Sequence, residues 1–582
     1  MGTPSAADLL FVVPGSGRGS IWTGTSTTTD AVAVAGGRIV ALGSDARDLR
    51  TSGTEVVELR GRTLLPGFRD GHLHPLNGGA ESLDCDLVDS ADVDEVLSRL
   101  ARFVADHPDP AATPWVLGWG YPPEILPGGV GRAEVLDAVV GDRPAALWSS
   151  DHHMVWVNRR ALEVAGITAA TNDPPRGTVV RDADGHPVGT LLEAAEHLLD
   201  AHIPPRGVAK EARGLEVGLH RMAAAGLVFG QDAWCTPGML AAYRRVADAG
   251  RLTADLDLAC KVEVDGWAEQ VAVFEDLRRE AERDRTRRRA DGVPGGRLTA
   301  TTVKFFVDGV IEGGTAAMID PYLPLDGSGP VGSERDAGCA GTHDHGIANW
   351  DLDELTRAAA AMDAAGFQLH LHAIGDAGIR LALDAIEAVA ARNGARDRRP
   401  VIAHTHLVHP DDLPRFRELG VVANFEPLWA QDNEIMRDLT APRLGAERTR
   451  WQYPIGSLVR DGAAVSFGSD WPVSSHEPLA GIAVAVTRQV PGGHDDRVFL
   501  PGERIDLDAA LRAYTAGTAH QAGDEADAGT IAVGQRADLV VTAHDVLRVP
   551  PRELGDVDVD GTWLAGRPVH RGTSEDGKYL PN

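Results

Sequence analysis

Eight short apolar runs, each bounded by Gly, Asp or Pro, recur through the middle of this chain. They lie at 64–74, 226–234 (GLVFGQDAW), 254–263 (ADLDLACKVE), 300–309 (ATTVKFFVDG), 366–373 (GFQLHLHA), 400–408 (PVIAHTHLV), 420–427 (GVVANFEP) and 463–470 (AAVSFGSD). Most of the gaps carry Ala/Leu/Glu/Arg-rich stretches with helical spacing, for example 351–365 and 376–393. Strands that alternate with helices eight times predict an α/β fold, a (β/α)8 TIM-like barrel. The gap 75–225 is far too long for a βα loop and predicts an inserted cap or substrate subdomain after the first barrel strand. Both ends of the chain show short Val/Ile/Leu runs separated by turns such as Ala35-Gly36-Gly37 and Gly43-Ser44-Asp45, which read as small antiparallel strands. The expected division is therefore a small β-sandwich from 1–63 and 527–582, a barrel from 64–74 and 226–526, and the insertion at 75–225.

Barrel enzymes place their chemistry at the C-terminal ends of the strands. The first run, Leu64-Leu65-Pro66-Gly67-Phe68-Arg69-Asp70-Gly71-His72-Leu73-His74, ends in two histidines two positions apart, on one face of an extended strand. Strand four carries Lys304 between apolar residues, strand five His370 and His372, strand six His404 and His406, and strand eight ends in Asp470. An unpaired buried charge is expensive, so ionisable groups converging from five strands point to a divalent metal at one barrel mouth. Within each histidine pair, spacing does not select a ligand. For Lys304 the residues leave three readings open: a head that snorkels to solvent or pairs with Asp308, a neutral amine, or a carbamate that bridges two metals. Asp232 either lines the mouth or caps the next helix. His152 points away from its neighbour His153 if that segment is extended. The aromatic residues Trp115, Trp119, Tyr121 and Trp148 of the insertion form a cap core or line a pocket suited to an apolar substituent. The His343-Asp344-His345 triplet reads as an exposed loop.

Composition narrows the partners. With 56 Lys+Arg against 85 Asp+Glu, the formal net charge is −29, a field that repels phosphate backbones and anionic lipid. The expectation is a small-molecule substrate, with neither nucleic acid nor membrane as partner. The cysteines, Cys85, Cys235, Cys260 and Cys339, form no C-x-x-C pair, and the opening MGTPSAADLLFVV has no basic n-region. Together these fit a cytoplasmic protein.

The motifs PGFRDGHLHP (66–75), SSDHHMVWVN (149–158), VKFFVDGVIEGGTAAM (303–318), LHAIGD (371–376), AHTHLVHP (403–410), FGSDWPV (467–473) and GTIAVGQRADLVV (529–541) resemble, in order, the amidohydrolase superfamily. The likeness is to the amidohydrolase family 3 group, which includes N-substituted formamide deformylases. The resemblance implies one or two divalent metals, with zinc as the default: His72, His74 and Asp470 on the more buried ion, His372 and His404 on the second, and a carboxylated Lys304 between them. It makes His153 the substrate-facing histidine and Asp470 the general base and acid. It further implies hydrolysis of a C–N bond in an amide or N-acyl/N-formyl amine, and a homo-oligomer. His406 stands where the family commonly has glutamine, and Ala403 where it has glutamate, so His406 is expected near substrate, as is Trp119. An ester, carbamate or cyclic amide is the alternative substrate, and a non-catalytic metal-binding regulator the alternative of another class.

Overall fold

The computed structural model describes residues 6–15, 18–88, 90–150, 152–174, 177–323, 345–493 and 496–572. Its centre is an eight-stranded parallel sheet: β1 Phe68–Leu73, β2 Leu227–Cys235, β3 Asp255–Lys261, β4 Leu298–Phe306, β5 Gln368–Ala373, β6 Val401–His404, β7 Val422–Phe425 and β8 Ala464–Phe467. These strands are buried on both faces, as a parallel sheet wrapped in helices requires, and their apolar residues join the helices in one continuous core. Helix starts follow the expected chemistry. Asp351, for example, caps Leu352–Ala364 by accepting from the Glu354 N–H at 2.8 Å.

The strand ladder runs in order from β1 to β8, and the backbone just beyond β8 closes the ring on β1. The Asp470 and Ser469 N–H groups donate to the His72 carbonyl at 2.7 and 3.2 Å. Gly468 permits this approach, since a Cβ there would stand 2.9 Å from the His72 nitrogen and 3.0 Å from its oxygen.

The two ends of the chain form two further sheets. One has the order Arg38–Leu42, Ala31–Ala35, Leu9–Val12, Glu55–Glu58; the other Ser20–Ile21, Thr63–Pro66, Leu539–Thr542, Val559–Leu564, Arg567–Arg571. Phe11, Val32, Leu64, Leu539 and Trp563 lie in the core between them, a sandwich built from both termini. Not every pairing is antiparallel, as expected from the short turns. Leu9–Val12 runs parallel to Glu55–Glu58, and Ser20–Ile21 parallel to Thr63–Pro66, because long connections, and not hairpins, join them. Thr63–Pro66 pairs with Leu539–Thr542 in this sandwich, so the chain enters the barrel at Phe68.

Between β1 and β2 lies a six-stranded sheet ordered Gly177–Arg181, Pro187–Glu193, Met154–Val157, Ala145–Ser149, Val116–Tyr121, Cys85–Asp86. Alternate residues feed two cores, Ala146, Trp148 and Val155 into one and Leu147 and Trp156 into the other. Cys85, Cys235 and Cys260 are free and buried. Among the described residues, no helix is long and apolar enough to cross a membrane.

Candidate metal centre

Residues i and i+2 of a strand share a face but stand about 6.6 Å apart along it, so inward-facing pairs occupy successive layers of the barrel. Register assigns the layers: Lys304 lies beside His370, Phe306 beside His372, and Ala373 beside His404. His370 therefore sits one layer deeper than His372.

At the upper layer several side chains converge. His72, His404 and Asp470 each offer a ligand atom, all within 4.8 Å of one another. His72 Nε2 lies 3.4 Å from Asp470 Oδ1 and 3.4 Å from Lys304 Nζ. His74 Nε2 reaches the same Asp470 oxygen at 2.9 Å. The His372 ring packs against His404 with centroids 4.5 Å apart. His72, His404 and Asp470 are all buried, as is Lys304.

The ring nitrogens facing away from this cluster are held by the protein. His72 Nδ1 meets His370 Nε2 at 2.9 Å, His404 Nδ1 meets Glu426 Oε2 at 2.9 Å, and His372 Nε2 meets the Gly309 carbonyl at 3.2 Å. Trp429 stacks on His404 with centroids 5.3 Å apart. Such outer partners set the tautomer and orientation of metal-ligating imidazoles. Asp70 stands behind His72, its carboxylate accepting from the backbone N–H groups of His72 and Ser469 at 3.0 and 3.1 Å, and burial raises its pKa to about 7.

The electrostatics favour a cation. Burial, with Lys304 nearby, holds His72 well below the usual imidazole range; burial, with His404 nearby, does the same for His372. The neutral form is the ligating form. His74 goes the other way: burial opposes its charge, but Asp232 and Asp470 outweigh that and raise its pKa to about 9. Burial likewise works against the Asp470 anion, and His72 and His74 overcome it, leaving the carboxyl well below its ordinary range. A divalent cation would compete for the position of the His74 proton. Burial lowers Lys304 to about 7 against the pull of Asp470 and Glu426. The lysine neither snorkels nor pairs with Asp308, whose carboxylate accepts from the N–H groups of Ile374, Gly375 and Ala317 at 3.0, 2.8 and 3.0 Å. Two residues of the cluster also carry left-handed backbone: φ is 71° at His404, 43° at its neighbour Thr405 and 54° at Asp470. Strain of this kind concentrates at functional sites.

A cavity of about 920 Å³ opens over the cluster and is walled on the far side by the insertion. His153 lines it, with Nδ1 held by Glu193 Oε2 at 3.0 Å. Trp119 lines it too, stacked on Trp148 at 4.1 Å, with the Arg206 guanidinium 4.9 Å from its ring. His152 also faces this cavity, since its φ of 61° means that the segment is not extended there; its Nε2 lies 3.7 Å from Glu81 Oε2. His406 lines the wall outside the converging set, with Nε2 2.7 Å from Gln452 Oε1 and Nδ1 3.2 Å from the Tyr453 hydroxyl. Asp232, for which two roles stood open, accepts from the Trp234 N–H at 3.1 Å and places Oδ1 3.7 Å from His74 Nδ1. Glu426 and Trp429 escaped the sequence reading. The signal for Glu426 was present, since it ends the apolar run 420–427 as Asp470 ends 463–470. His343 and Asp344 lie outside the described residues; His345 Nδ1 faces the Met318 carbonyl at 3.1 Å.

The neutral imidazoles of His72 and His372, the ionised Asp470, and Lys304 without a carboxylate partner among the described residues fit a divalent metal. The chain is 28% identical to N-substituted formamide deformylase of Arthrobacter pascens, covering 93% of this chain and 95% of the relative. It is 29% identical to Protein LONG AFTER FAR-RED 3 of Arabidopsis thaliana, covering 98% and 93%. In fold it resembles a metal-dependent hydrolase from Pyrococcus horikoshii, with a TM-score of 0.68, 22% identity and coverage of 93% of this chain and 99% of that one. The amidohydrolase family model matches residues 55–570, a span that takes in every barrel strand and the whole insertion, and the chain belongs to the amidohydrolase family.

Proposed function

We propose that this hydrolase cleaves a C–N bond, in an amide or an N-acyl or N-formyl amine, using a divalent metal at the barrel mouth. The observation that carries the reading is the convergence of His72, His404 and Asp470 within 4.8 Å of one another, with Lys304 buried against them. His72, His74 and Asp470 would hold one ion, and His372 and His404 a second. Lys304 would join them as a carbamate, a modification that starts from a neutral amine, and its lowered pKa supports that form. Zinc suits this mixture of imidazole and carboxylate. Held by these residues, a divalent metal would supply Lewis acidity toward a carbonyl and toward water near neutral pH.

The chain's own groups do the rest. Asp470 Oδ1, between His72 and His74, takes the proton of the attacking water and returns it to the departing nitrogen, which leaves poorly as an anion. His153, oriented by Glu193, donates to the developing oxyanion from the opposite wall. Trp119 and Trp148 offer an apolar face to the substituent on nitrogen, and His406 borders the same space. In this reading residues 75–225 act as the cap that sets specificity.

The test is metal content by elemental mass spectrometry on wild type and Lys304→Ala, beside hydrolysis of matched N-formyl amines, N-acetyl amines and esters. Near two equivalents in wild type, a sharp fall in the variant and turnover of the amides support the reading. A metal-loaded protein inert to the amides overturns the C–N assignment, and turnover of the esters alone replaces it with ester hydrolysis.

A further inference from the structure

We infer that His370, which faces no substrate, is a positioning residue for the metal centre: with Gln231 and Asp257 it forms a one-directional hydrogen-bond relay that fixes the tautomer of His72. The inference rests on the metal reading above and adds to it a chain of groups reaching one layer deeper into the barrel.

The direction of the relay follows from what each group can donate. Asp257 is buried, and its carboxylate accepts from the hydroxyls of Thr299, Thr301 and Thr302 at 2.7, 2.8 and 2.6 Å. This carboxylate thus acts as an acceptor toward its neighbours, and Gln231, whose side chain lies 3.2 Å from Asp257 Oδ2, turns its amide nitrogen toward it. The same nitrogen reaches the Thr302 oxygen at 3.0 Å. Gln231 Oε1 must then face the other way, where it lies 2.8 Å from His370 Nδ1 and 2.7 Å from Gln521 Nε2. The Gln521 nitrogen also donates to the Gly71 carbonyl at 2.8 Å, which independently identifies it as a donor.

A carbonyl oxygen cannot donate, so His370 carries its hydrogen on Nδ1. Its Nε2 is therefore the acceptor for the His72 Nδ1–H at 2.9 Å, and the lone pair of His72 is left on Nε2, the atom that faces Lys304 and Asp470. The opposite tautomer of His370 would set its Nδ1 lone pair against Gln231 Oε1 and, by donating from Nε2, force the His72 hydrogen onto the nitrogen that a metal needs. His370 is fully buried and beside Lys304 in register, so solvent offers neither ring nitrogen a substitute partner.

The experiment compares His370→Gln with His370→Phe in the full chain. Both fill the space, but only glutamine offers an oxygen to accept from His72 Nδ1. Zinc affinity is read by chelator competition on metal-depleted protein, with a thermal melt as the folding control. The relay predicts that the Phe variant loses about 10- to 100-fold in affinity while the Gln variant stays within about threefold of wild type. Equal affinities for the two variants overturn it. If the Phe variant does not fold, Gln231→Leu replaces it, because it removes the group that fixes the His370 hydrogen. A roughly tenfold loss then supports the relay, and an unchanged affinity overturns it. Wild-type protein that takes up no zinc or other divalent ion sinks the metal centre itself. Wild type that binds zinc beside variants that match each other sinks the relay alone.

Discussion

Buried charge appears at both ends of the barrel, and the two ends treat it differently. At the end where the strands begin, Arg69, Arg297 and Arg536 meet Asp255, Asp524 and Asp538 in a closed network. Arg69 reaches Asp524 at 2.8 Å, Arg297 reaches Asp255 at 2.6 Å and Asp524 at 3.1 Å, and Arg536 reaches Asp255 at 2.8 Å and also binds Asp538. Asp524, Arg536 and Asp538 come from the segment that returns to the sandwich, so this network ties the barrel to the terminal sheets. At the end where the strands finish, Asp470 meets the imidazoles of His72 and His74, and Lys304 makes no ion pair with a carboxylate among the described residues. The lower network pairs cations with carboxylates inside the chain, although Arg69 Nε and Nη1 stay buried without a hydrogen-bond partner among the described residues, whereas the upper cluster sets imidazoles and a lysine around one carboxylate. The left-handed backbone of His404 and Asp470 belongs to that end.

Substitutions at the two ends should separate in what they damage. The largest effect is expected for Asp470→Asn, which should lower kcat on an N-formyl amine by about 10²–10⁴-fold with little change in melting temperature; retained turnover would remove Asp470 from proton transfer. At the opposite end, Asp255→Ala leaves Arg297 and Arg536 short of a buried partner and should cost about 3–5 kcal/mol, read as a lowered denaturation midpoint. Its kcat/KM measured below that midpoint should stay near wild type. Chelation tests the contrast directly: a bound ion at about 100-fold over its Kd contributes roughly 3 kcal/mol. Removing it should lower the melting temperature of wild type and Asp255→Ala alike, and leave that of His72→Ala almost unmoved. The smallest effect is expected for Glu193→Gln, which replaces the carboxylate facing His153 Nδ1 with a neutral amide and should reduce kcat/KM about tenfold without changing metal content. A parallel loss of metal would place His153 closer to the ions than the proposed role requires.

The barrel was legible because its evidence is local and repeated: eight apolar runs, most of them followed by helical spacing, admit few other architectures. The terminal sandwich was legible for the same reason, although its two parallel pairings were not, since strand direction depends on which distant segments meet. Ionisable residues at the strand ends, His72, His74, His370, His372, His404, His406 and Asp470, stood out because such groups are costly in apolar strands without a purpose, but spacing did not choose within the last two histidine pairs. The side on which His152 stands was left conditional on an extended segment, and its φ of 61° removes that condition in a way that no spacing rule reports. Glu426 passed unnoticed because one carboxylate after an apolar run is common, and only the 2.9 Å contact with His404 Nδ1 marks it out.

The sequence alone determined that histidines, a lysine and an aspartate from separate strands would share one end of a barrel, since periodicity fixes the face on which a side chain stands. Only the tertiary structure decided depth and partners. Strand register places His370 beside Lys304 and one layer below His372, and ring closure through the His72 carbonyl brings Asp470 against His74. The long insertion folds back to put His153 and Trp119 over the same cavity. Depth, register and closure are relations between segments hundreds of residues apart, and a pattern read along one strand carries no information about them.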